Sequence, residues 1–392
     1  MKRFWSIAVL VAVLFTLRPV RGRAVELDVG GKSALLMDIS TGQVLYEKNA
    51  HEKLAPASVT KVMTLLLIME AIDDGRIGWQ DMVTASEEAA AKGGSQIYLK
   101  VGETMPVSDM VKSIAVSSAN DCACAMAEHL CGSEGAFVDV MNARAAQLGM
   151  EDTHFVNCTG LDDGEDASRH RTCAYDIALM SRQLMLYHPK IKDFTTIWMD
   201  TVRDGAFGLS NTNKLIRFYS GATGLKTGFT SGAGYCLSAT AERDGLGLIA
   251  VVMGCETSKE RTAACKSMLD YGFANFAYVS PELPEDCRVP VTLGTSREVT
   301  ALPGESTQLL ISKGKKGSVT QEVTLMDGVE APVQRGQSLG RLTIRAGEEI
   351  LAESPLVASE AVDRLTWGRL TLRILRQAAM ALPEEATENS TR

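Results

Sequence analysis

The amino-acid sequence predicts an α+β domain, followed by a small all-β domain and a C-terminal amphipathic helix. Strand-like segments lie at both ends of residues 25–280, and helical segments lie between them. Short alternating runs separated by turn residues fill residues 285–357. A basic stretch with an apolar face follows from Val362. Strands that flank a set of helices are typical of an α+β layered fold.

The elements of the first domain can be assigned in order along the chain. Residues 32–38 and 43–46 predict two strands around a turn. The helix predicted from Val59 to Ile72 is apolar on nearly all sides, so we expect it to be central and buried. The later elements are helices at residues 107–130 (with a break at 117–118), 175–187 and 259–276, and strands from residue 224, at 235–241 and at 246–253.

The second domain begins after a segment rich in proline and glutamate at residues 281–285. Short alternating runs beyond it are typical of an all-β domain. The predicted strands are residues 289–293, 307–311, 319–325 and 342–344.

Residues 360–382 predict a basic amphipathic helix, with a tail at residues 383–392. Trp367 and several aliphatic residues cover its apolar face. Three arginines share the opposite face: Arg369, Arg373 and Arg376. No acidic residue occurs from position 364 to 383. This pattern indicates a helix that lies on an anionic membrane surface. The alternative is a helix packed on the β-domain, with its arginines facing water.

Residues 1–24 have the features of a secretory signal peptide. Lys2 and Arg3 precede an apolar run, Phe4 to Leu17, which is short for a membrane span. We therefore expect an exported protein. An uncleaved N-terminal anchor is the alternative, because the cleavage site is a poor match to the small-residue rule.

Composition and cysteine spacing exclude several classes of partner. The 392 residues are 45% hydrophobic and 22% charged, with a net charge of −8. An acidic chain of this kind argues against nucleic acid as a partner. The nine cysteines form no C-x-x-C pair and no zinc-ligand spacing with histidine, so we predict no metal and mostly buried free thiols.

Three short motifs carry the chemistry, and they occur in a fixed order. They are S-x-x-K at residues 58–61, S-x-N at 118–120 and K-T-G at 226–228. Any one alone is a weak signal, whereas three in order and in suitable local contexts form a strong one.

Ser58 and Lys61 lie three residues apart at the start of a helix, so their side chains share one face. Unpaired backbone N–H groups at that end can hold an oxyanion. The helix end, burial and the like charge of Lys226 all favour a neutral Lys61. A neutral lysine can take the proton of Ser58 as its oxygen attacks. The alternative is a serine and lysine on the protein surface. It fits poorly, because the helix is apolar on nearly all sides and a lysine on a buried helix is costly.

Ser118 and Asn120 lie at a predicted helix break. In isolation, a plain turn with a helix cap explains them equally well. In the functional interpretation, the Ser118 hydroxyl shuttles a proton between Lys61 and the leaving group. Asn120 then orients Lys61 and the substrate amide.

The third motif lies on a strand whose edge can pair with an extended peptide. Gly228 has no side chain, so a substrate can approach the backbone. Lys226 and the hydroxyls of Thr227 and Thr230 suit a terminal carboxylate. The Phe229 N–H would be a second oxyanion donor. The alternative is a glycine-rich surface hairpin.

These motifs and their flanks resemble those of serine-type D-alanyl-D-alanine carboxypeptidases, the low-molecular-mass penicillin-binding proteins. The resemblance runs from about Val25 to the C-terminus and includes Phe-Val-Asn at 155–157 and Asp-Tyr-Gly-Phe-Ala at 270–274. It implies a penicillin-recognising (β-lactamase/transpeptidase-like) domain, a β-rich domain and a C-terminal anchor. The chain departs from the family pattern at Gly247, where a basic residue is common, and at Cys173, where a small hydroxyl residue is usual.

The resemblance also implies an activity. Members remove the terminal D-alanine from peptidoglycan stem pentapeptides through an acyl-enzyme, here on Ser58, and are acylated by penicillins and other β-lactam antibiotics. They need no metal or organic cofactor, and they work at the outer face of the cytoplasmic membrane or in the cell wall.

Three other functions remain open at this point. A β-lactamase shares the motifs but also needs a deacylating carboxylate, and no convincing Glu-x-x-x-Asn loop lies between Asn120 and Lys226. A D,D-endopeptidase acting on cross-links is a close relative. An inactive wall-binding scaffold is disfavoured by the complete motif set.

Overall fold

The computed structural model describes residues 27–163, 166–280, 283–284, 287–304 and 308–380. The predicted signal peptide and tail lie outside these residues. The chain divides into two compact units, and the second comprises Arg243–Leu246 together with the chain from Gly272 onward. The mixed helix and strand content of the first unit and the all-β second unit confirm the predicted fold class.

The described residues of the first unit form nine strands, five of which make up its main sheet in the order β2-β1-β9-β8-β7. The predicted strands at residues 32–38, 43–46, 235–241 and 246–253 are confirmed to within a few residues. The strands are β1 (Ser33–Asp38), β2 (Val44–Lys48), β3 (Met82–Thr84), β4 (Thr104–Pro106), β5 (Met199–Val202), β6 (Phe207–Ser210), β7 (Ala222–Thr230), β8 (Gly234–Arg243) and β9 (Leu246–Cys255).

Helix α1 (Lys61–Asp73) is the central helix of this unit, as its sequence predicts. Most of its side chains are buried, including the charged side chain of Lys61. A short 3₁₀ turn, Ala57–Thr60, precedes it and carries Ser58. The other helices are α2 (Glu87–Ala90), α3 (Val107–Ser117), α4 (Asn120–Cys131), α5 (Glu134–Gln147), α6 (Ala174–Tyr187), α7 (Lys192–Thr195), α8 (Leu215–Phe218) and α9 (Ser258–Asn275).

The predicted break at residues 117–118 is confirmed, because α3 ends at Ser117 and α4 begins at Asn120. Helix α5 is an element that the sequence did not reveal. It buries only a narrow stripe, with Phe137, Met141 and Ala145 four residues apart. Such a narrow apolar stripe gives a weak helical signal.

The second unit contains a six-stranded sheet in the order β14-β16-β17-β12-β11-β15. Its strands, with the β10–β13 pair, are β10 (Phe276–Val279), β11 (Arg288–Thr292), β12 (Glu298–Pro303), β13 (Leu309–Ser312), β14 (Val319–Leu325), β15 (Val329–Glu330), β16 (Ser338–Ala346) and β17 (Glu349–Ala358). Strands β12 and β17 were not predicted. Both contain proline (Pro303 and Pro355), which is unfavourable inside a strand, although the predicted strand β11 contains one as well (Pro290).

The C-terminal helix α10 (Trp367–Met380) begins later than the sequence predicts. Val362 is buried in the core of the second unit instead and pairs with Val333. Along the helix, Trp367 is 84% exposed and Leu375 is 61% exposed. Arg373 donates a hydrogen bond to the Gly294 carbonyl at 3.1 Å. No helix among the described residues is long and apolar enough to cross a membrane.

All nine cysteines fall within the described residues, and all but Cys131 are buried. The predicted burial of most of the thiols is therefore confirmed.

Candidate active site

Ser58 lies in a turn whose backbone is held from several sides. Ala57 has a left-handed φ of 49°, which is unfavourable for a residue with a Cβ. The Thr60 hydroxyl donates a hydrogen bond to the Ala57 carbonyl at 2.8 Å. Gly160 packs so closely that a Cβ there would lie 1.8 Å from the same carbonyl oxygen. The strained turn that presents Ser58 is thus stabilised by its surroundings.

His170 supports this turn and was not singled out from the sequence. Its Nε2 lies 2.8 Å from Thr60 Oγ1, and its Nδ1 accepts the Val156 N–H at 3.2 Å. Because the Thr60 hydroxyl already donates to Ala57, the hydrogen-bond network assigns the ring proton to Nε2. Burial lowers the pKa of His170 to about 4, so the ring is neutral at physiological pH. A lone histidine outside the motifs carries no sequence signal for such a role.

Lys61 contacts the nucleophile directly. Its Nζ lies 3.0 Å from Ser58 Oγ and donates to the Thr159 carbonyl at 2.8 Å. The predicted pairing of Ser58 with Lys61 on one face is therefore present. Thr159 is a further residue that sequence reasoning missed, since its contribution is a backbone carbonyl.

Burial lowers the pKa of Lys61 to about 7, against the opposing effect of Asp121 and Glu134. The amine is therefore neutral in a large part of the molecules at pH 7. Burial also places the pKa of Lys226 well below its usual value, and the charge of Lys61 lowers it further. The sequence-based expectation that Lys61 is held neutral thus agrees with the structure, and burial is the largest cause.

Ser118 and Asn120 each carry a buried side-chain oxygen with unused hydrogen-bonding capacity. Ser118 has a left-handed φ of 65° and is the C-cap residue that follows α3. Within the described part of the chain, neither Ser118 Oγ nor Asn120 Oδ1 has a hydrogen-bond partner. Asn120 Nδ2 donates to the Gly93 carbonyl at 2.7 Å, which fixes the side-chain amide. Unsatisfied buried polar atoms are uncommon and indicate a binding or catalytic site.

Strand β7 is the edge strand of the main sheet and passes beside the Ser58 turn. A Cβ at Gly228 would lie 2.6 Å from the Pro56 carbonyl oxygen and 3.1 Å from the Ser58 nitrogen. The lack of a side chain at Gly228 therefore allows the strand to pack against the turn. This is a second reason for glycine there, beside the substrate access predicted from the sequence.

The remaining predicted binding residues lie along the same strand. Thr227 Oγ1 is 2.6 Å from Thr212 Oγ1. The Phe229 ring stacks on Tyr235, with centroids 4.2 Å apart, and is 53% exposed. The Thr230 hydroxyl oxygen accepts the Ala233 N–H at 3.1 Å. Thr230 therefore also has a structural contact in the turn that follows the strand.

Three charged residues outside the motifs hold the site together. Arg261 donates to the carbonyls of Gly228 and Cys236 at 3.1 and 3.3 Å. Glu134 accepts the Cys158 N–H at 3.0 Å, next to the carbonyl that binds Lys61. Asp121 accepts backbone N–H groups of the loop beside Asn120. An acid directly after the S-x-N motif, followed by the apolar run 122–127, was the one available signal for Asp121.

Two known protein families match this chain. The family described as D-alanyl-D-alanine carboxypeptidase matches residues 21–257. The family described as penicillin-binding protein 5, C-terminal domain, matches residues 287–364. Together the two matches span both structural units.

Individual relatives agree with these matches. The chain is 43% identical to D-alanyl-D-alanine carboxypeptidase DacF of Bacillus subtilis, over 93% of this chain and 95% of that protein. Penicillin binding protein 5 from Haemophilus influenzae has a TM-score of 0.73 and 29% identity, and the match covers 86% of this chain and 98% of that one. Penicillin-binding protein D2 from Listeria monocytogenes, in its ampicillin-bound form, has a TM-score of 0.58 and 32% identity, over 63% of this chain and 99% of that one.

Proposed function

Since the chain belongs to the D-alanyl-D-alanine carboxypeptidase family of low-molecular-mass penicillin-binding proteins, we propose how its residues perform that reaction. Ser58 is the nucleophile, and Lys61 is its general base. The observation that carries this assignment is a buried lysine with a pKa of about 7, whose Nζ lies 3.0 Å from Ser58 Oγ. A base is most effective when its pKa lies near the working pH.

Acylation begins when Ser58 Oγ attacks the carbonyl carbon of the penultimate D-alanine and its proton passes to Lys61 Nζ. The developing oxyanion accepts hydrogen bonds from the backbone N–H groups of Ser58 and Phe229. As the C–N bond breaks, the leaving D-alanine takes a proton from the Ser118 hydroxyl, which is replenished from Lys61. Asn120 Oδ1, which has no partner among the described residues, accepts the N–H of the substrate amide, whereas Lys61 is oriented by the Thr159 carbonyl rather than by Asn120 as the sequence predicts.

The carboxylate of the leaving D-alanine binds to Lys226 and to the hydroxyls of Thr227 and Thr230. The pKa of Lys226 lies well below its usual value because the lysine is buried. A bound carboxylate raises it again through its opposite charge, so the ammonium forms together with the substrate. The peptide lies along the edge of β7, and Gly228 keeps this strand close to the Ser58 turn because it has no Cβ. Water then hydrolyses the acyl-enzyme.

Labelling with a fluorescent penicillin tests this assignment. The full-length protein should give a covalent band and release D-alanine from a D-Ala-D-Ala tripeptide, and Ser58→Ala should abolish both. Ser40→Ala, which removes an exposed hydroxyl, is the matched control and should behave as wild type. A Ser58-dependent band that decays within seconds would identify a β-lactamase. The absence of a band in the folded protein would favour an inactive wall-binding scaffold.

The rate of penicillin acylation should rise with pH because only neutral Lys61 accepts the Ser58 proton. The pKa of about 7 predicts an increase of about tenfold per pH unit below pH 6 and a plateau above pH 8. The charge of Lys61 also lowers the pKa of Lys226, so the two lysines interact and the apparent pKa of the profile reflects both. Labelling rates from pH 5.5 to 9 measure this profile. A rate that stays constant below pH 7 would exclude Lys61 as the base.

We further propose that residues 1–24 direct export and that α10 binds an anionic membrane surface. The support for membrane binding is a helix without acidic residues that exposes Trp367, Leu372 and Leu375. The alternative, a helix packed on the β-domain, also has support, because Arg373 donates a hydrogen bond to the Gly294 carbonyl of that domain. The unpartnered apolar side chains favour the membrane.

Removal of residues 367–392 should shift the protein from the membrane to the soluble fraction. The truncation starts at 367 because Val362 is part of the β-domain core. Fractionation of cells expressing the full and truncated chains is the measurement, and equal penicillin labelling of the two shows that the first unit is intact. An unchanged membrane fraction would contradict the proposal.

A further inference from the structure

Three side chains with metal-binding atoms lie together in the first unit, and none of them belongs to the three motifs. They are the His51 imidazole, the Asp152 carboxylate and the Cys173 thiol. Asp152 Oδ2 lies 3.0 Å from His51 Nδ1 and 3.7 Å from Cys173 Sγ, and all three ligand atoms lie within 4.8 Å of one another. Ligand atoms around a tetrahedral zinc ion are about 3.3–3.6 Å apart. Modest side-chain movements therefore place all three on one ion.

The three ligands come from separate segments of the chain. Leu54 and Thr172 exchange two backbone hydrogen bonds, of 2.8 and 3.0 Å, which bring the segment of His51 beside that of Cys173. The prediction of no metal considered only local spacing in the sequence, and the fold assembles a ligand set that such spacing does not reveal.

Cys173 lies where the backbone favours a thiolate. It is buried and is the N-cap residue of α6, a helix of 14 residues. Its Sγ accepts the Asp176 N–H at 3.4 Å, and the Asp176 carboxylate accepts the Asp152 N–H at 3.0 Å. A helix N-terminus stabilises a thiolate, and hydrogen bonds of this kind orient metal ligands. Cysteine is not among the preferred caps, so capping alone does not explain a thiol here.

The other two ligands are accessible and held in position. The His51 side chain is 62% exposed, so an ion can reach it from solvent. Its ring packs against Tyr175, with centroids 4.8 Å apart. Lys53 Nζ pairs with Asp152 Oδ1 at 3.3 Å and leaves Oδ2 to face the other two ligands. Without a metal, the same atoms form a plain histidine–aspartate pair beside a helix cap, which is the competing explanation.

A second cluster of similar composition is a poorer candidate. It contains Glu88, Cys124 and Glu134. Lys92 Nζ donates hydrogen bonds to both carboxylates, at 3.2 and 2.5 Å. The Lys92 ammonium already supplies the positive charge between these two acids.

We propose that His51, Asp152 and Cys173 bind a zinc ion, with water as the fourth ligand. Imidazole, carboxylate and thiolate are all ligands that zinc accepts, whereas calcium and magnesium prefer oxygen ligands alone. The neutral His51 ring coordinates through Nδ1, and the Cys173 thiol releases its proton to solvent as the zinc–sulfur bond forms. His51 lies seven residues before Ser58, so the ion ties the segment that leads to the nucleophile to the start of α6.

Titration of the reduced, metal-free, full-length protein with Co²⁺ and then Zn²⁺ tests the site. Wild type should bind one Co²⁺ and show the charge-transfer absorption of a cobalt–thiolate bond, which Zn²⁺ should abolish. Zn²⁺ should also raise the midpoint of thermal unfolding. Cys173→Ser should remove the charge-transfer band and weaken zinc binding by at least about tenfold, the minimum expected for a lost ligand. Serine is a preferred cap, so this variant keeps the start of α6.

The matched control is Cys131→Ser, which removes the one thiol that is not fully buried and should keep both the band and the zinc affinity. His51→Gln, at an exposed position, should weaken zinc binding by at least about tenfold, and His129→Gln should not. Circular dichroism without metal checks that each variant is folded. A wild type without the band, a band that persists in Cys173→Ser, or unchanged zinc affinity in His51→Gln would overturn the site. None of these outcomes depends on the proposed function.

Discussion

Replacing Lys61 with methionine is expected to slow acylation of Ser58 by about 10³-fold, the usual contribution of a general base. Methionine has a similar length and keeps the buried site filled, but it cannot accept a proton. The expected loss appears in the rate of penicillin labelling and in D-alanine release. Lys266→Met, which removes an exposed lysine, should retain wild-type rates.

The same substitution should make the protein more stable at neutral pH. The pKa of Lys61 falls from 10.5 to about 7 on folding, so a protonated Lys61 lowers the free energy of unfolding. This loss of stability is largest below pH 7 and fades as the pH approaches 10.5. This cost is about 3–5 kcal/mol at low pH. Loss of the hydrogen bond to Thr159 offsets about 1–2 kcal/mol of the gain.

Denaturant unfolding of both proteins at pH 6, 7 and 10 measures this effect. Lys61→Met should be the more stable by about 2 kcal/mol at pH 7. At pH 10 this advantage should be gone, and the variant should be equal to or up to about 1 kcal/mol less stable than wild type, because the hydrogen bond to Thr159 is still missing. A variant that is less stable than wild type at pH 6 would mean that the site does not oppose protonation of Lys61.

The main elements and the nucleophile were predictable because each has a local signal. The helix that contains Lys61 is apolar on nearly all sides, and the S-x-x-K motif lies at its start. The hairpin between β8 and β9 turns at Asp244 and Gly245, both with positive φ, as an Asp-Gly turn predicts. In these places local preference and tertiary structure agree.

The supporting residues were not predictable because their contacts join distant parts of the chain. His170 contacts Thr60 across 110 positions, and Arg261 contacts Gly228 across 33. Thr159 acts through its backbone carbonyl, which has no residue-type signature. The left-handed backbone of Tyr98 (φ 60°) is flanked by contacts from Asp121 and Arg203, which lie far apart in sequence, so no single segment of sequence contains that information.

Asp121→Asn is expected to destabilise the first unit by about 2–4 kcal/mol. The carboxylate is fully buried and accepts the N–H groups of Ile97, Leu99 and Cys122. An asparagine offers one acceptor oxygen in place of two and turns its NH₂ group toward a backbone N–H. At least one buried donor then loses its partner, and the hydrogen bonds that remain no longer involve a charged acceptor.

Activity should fall as well, by about tenfold or more in kcat/KM, because the loop released by Asp121 also holds Asn120. Thermal unfolding and D-alanine release are measured in parallel at a temperature where the variant is folded. Asp139→Asn, at an exposed position on α5, is the matched control and should change neither. If Asp121→Asn loses stability but keeps full activity, the loop does not position Asn120. The Asp121 contacts would then serve only the folding of the unit, and Asn120 would keep its orientation through the Gly93 carbonyl alone.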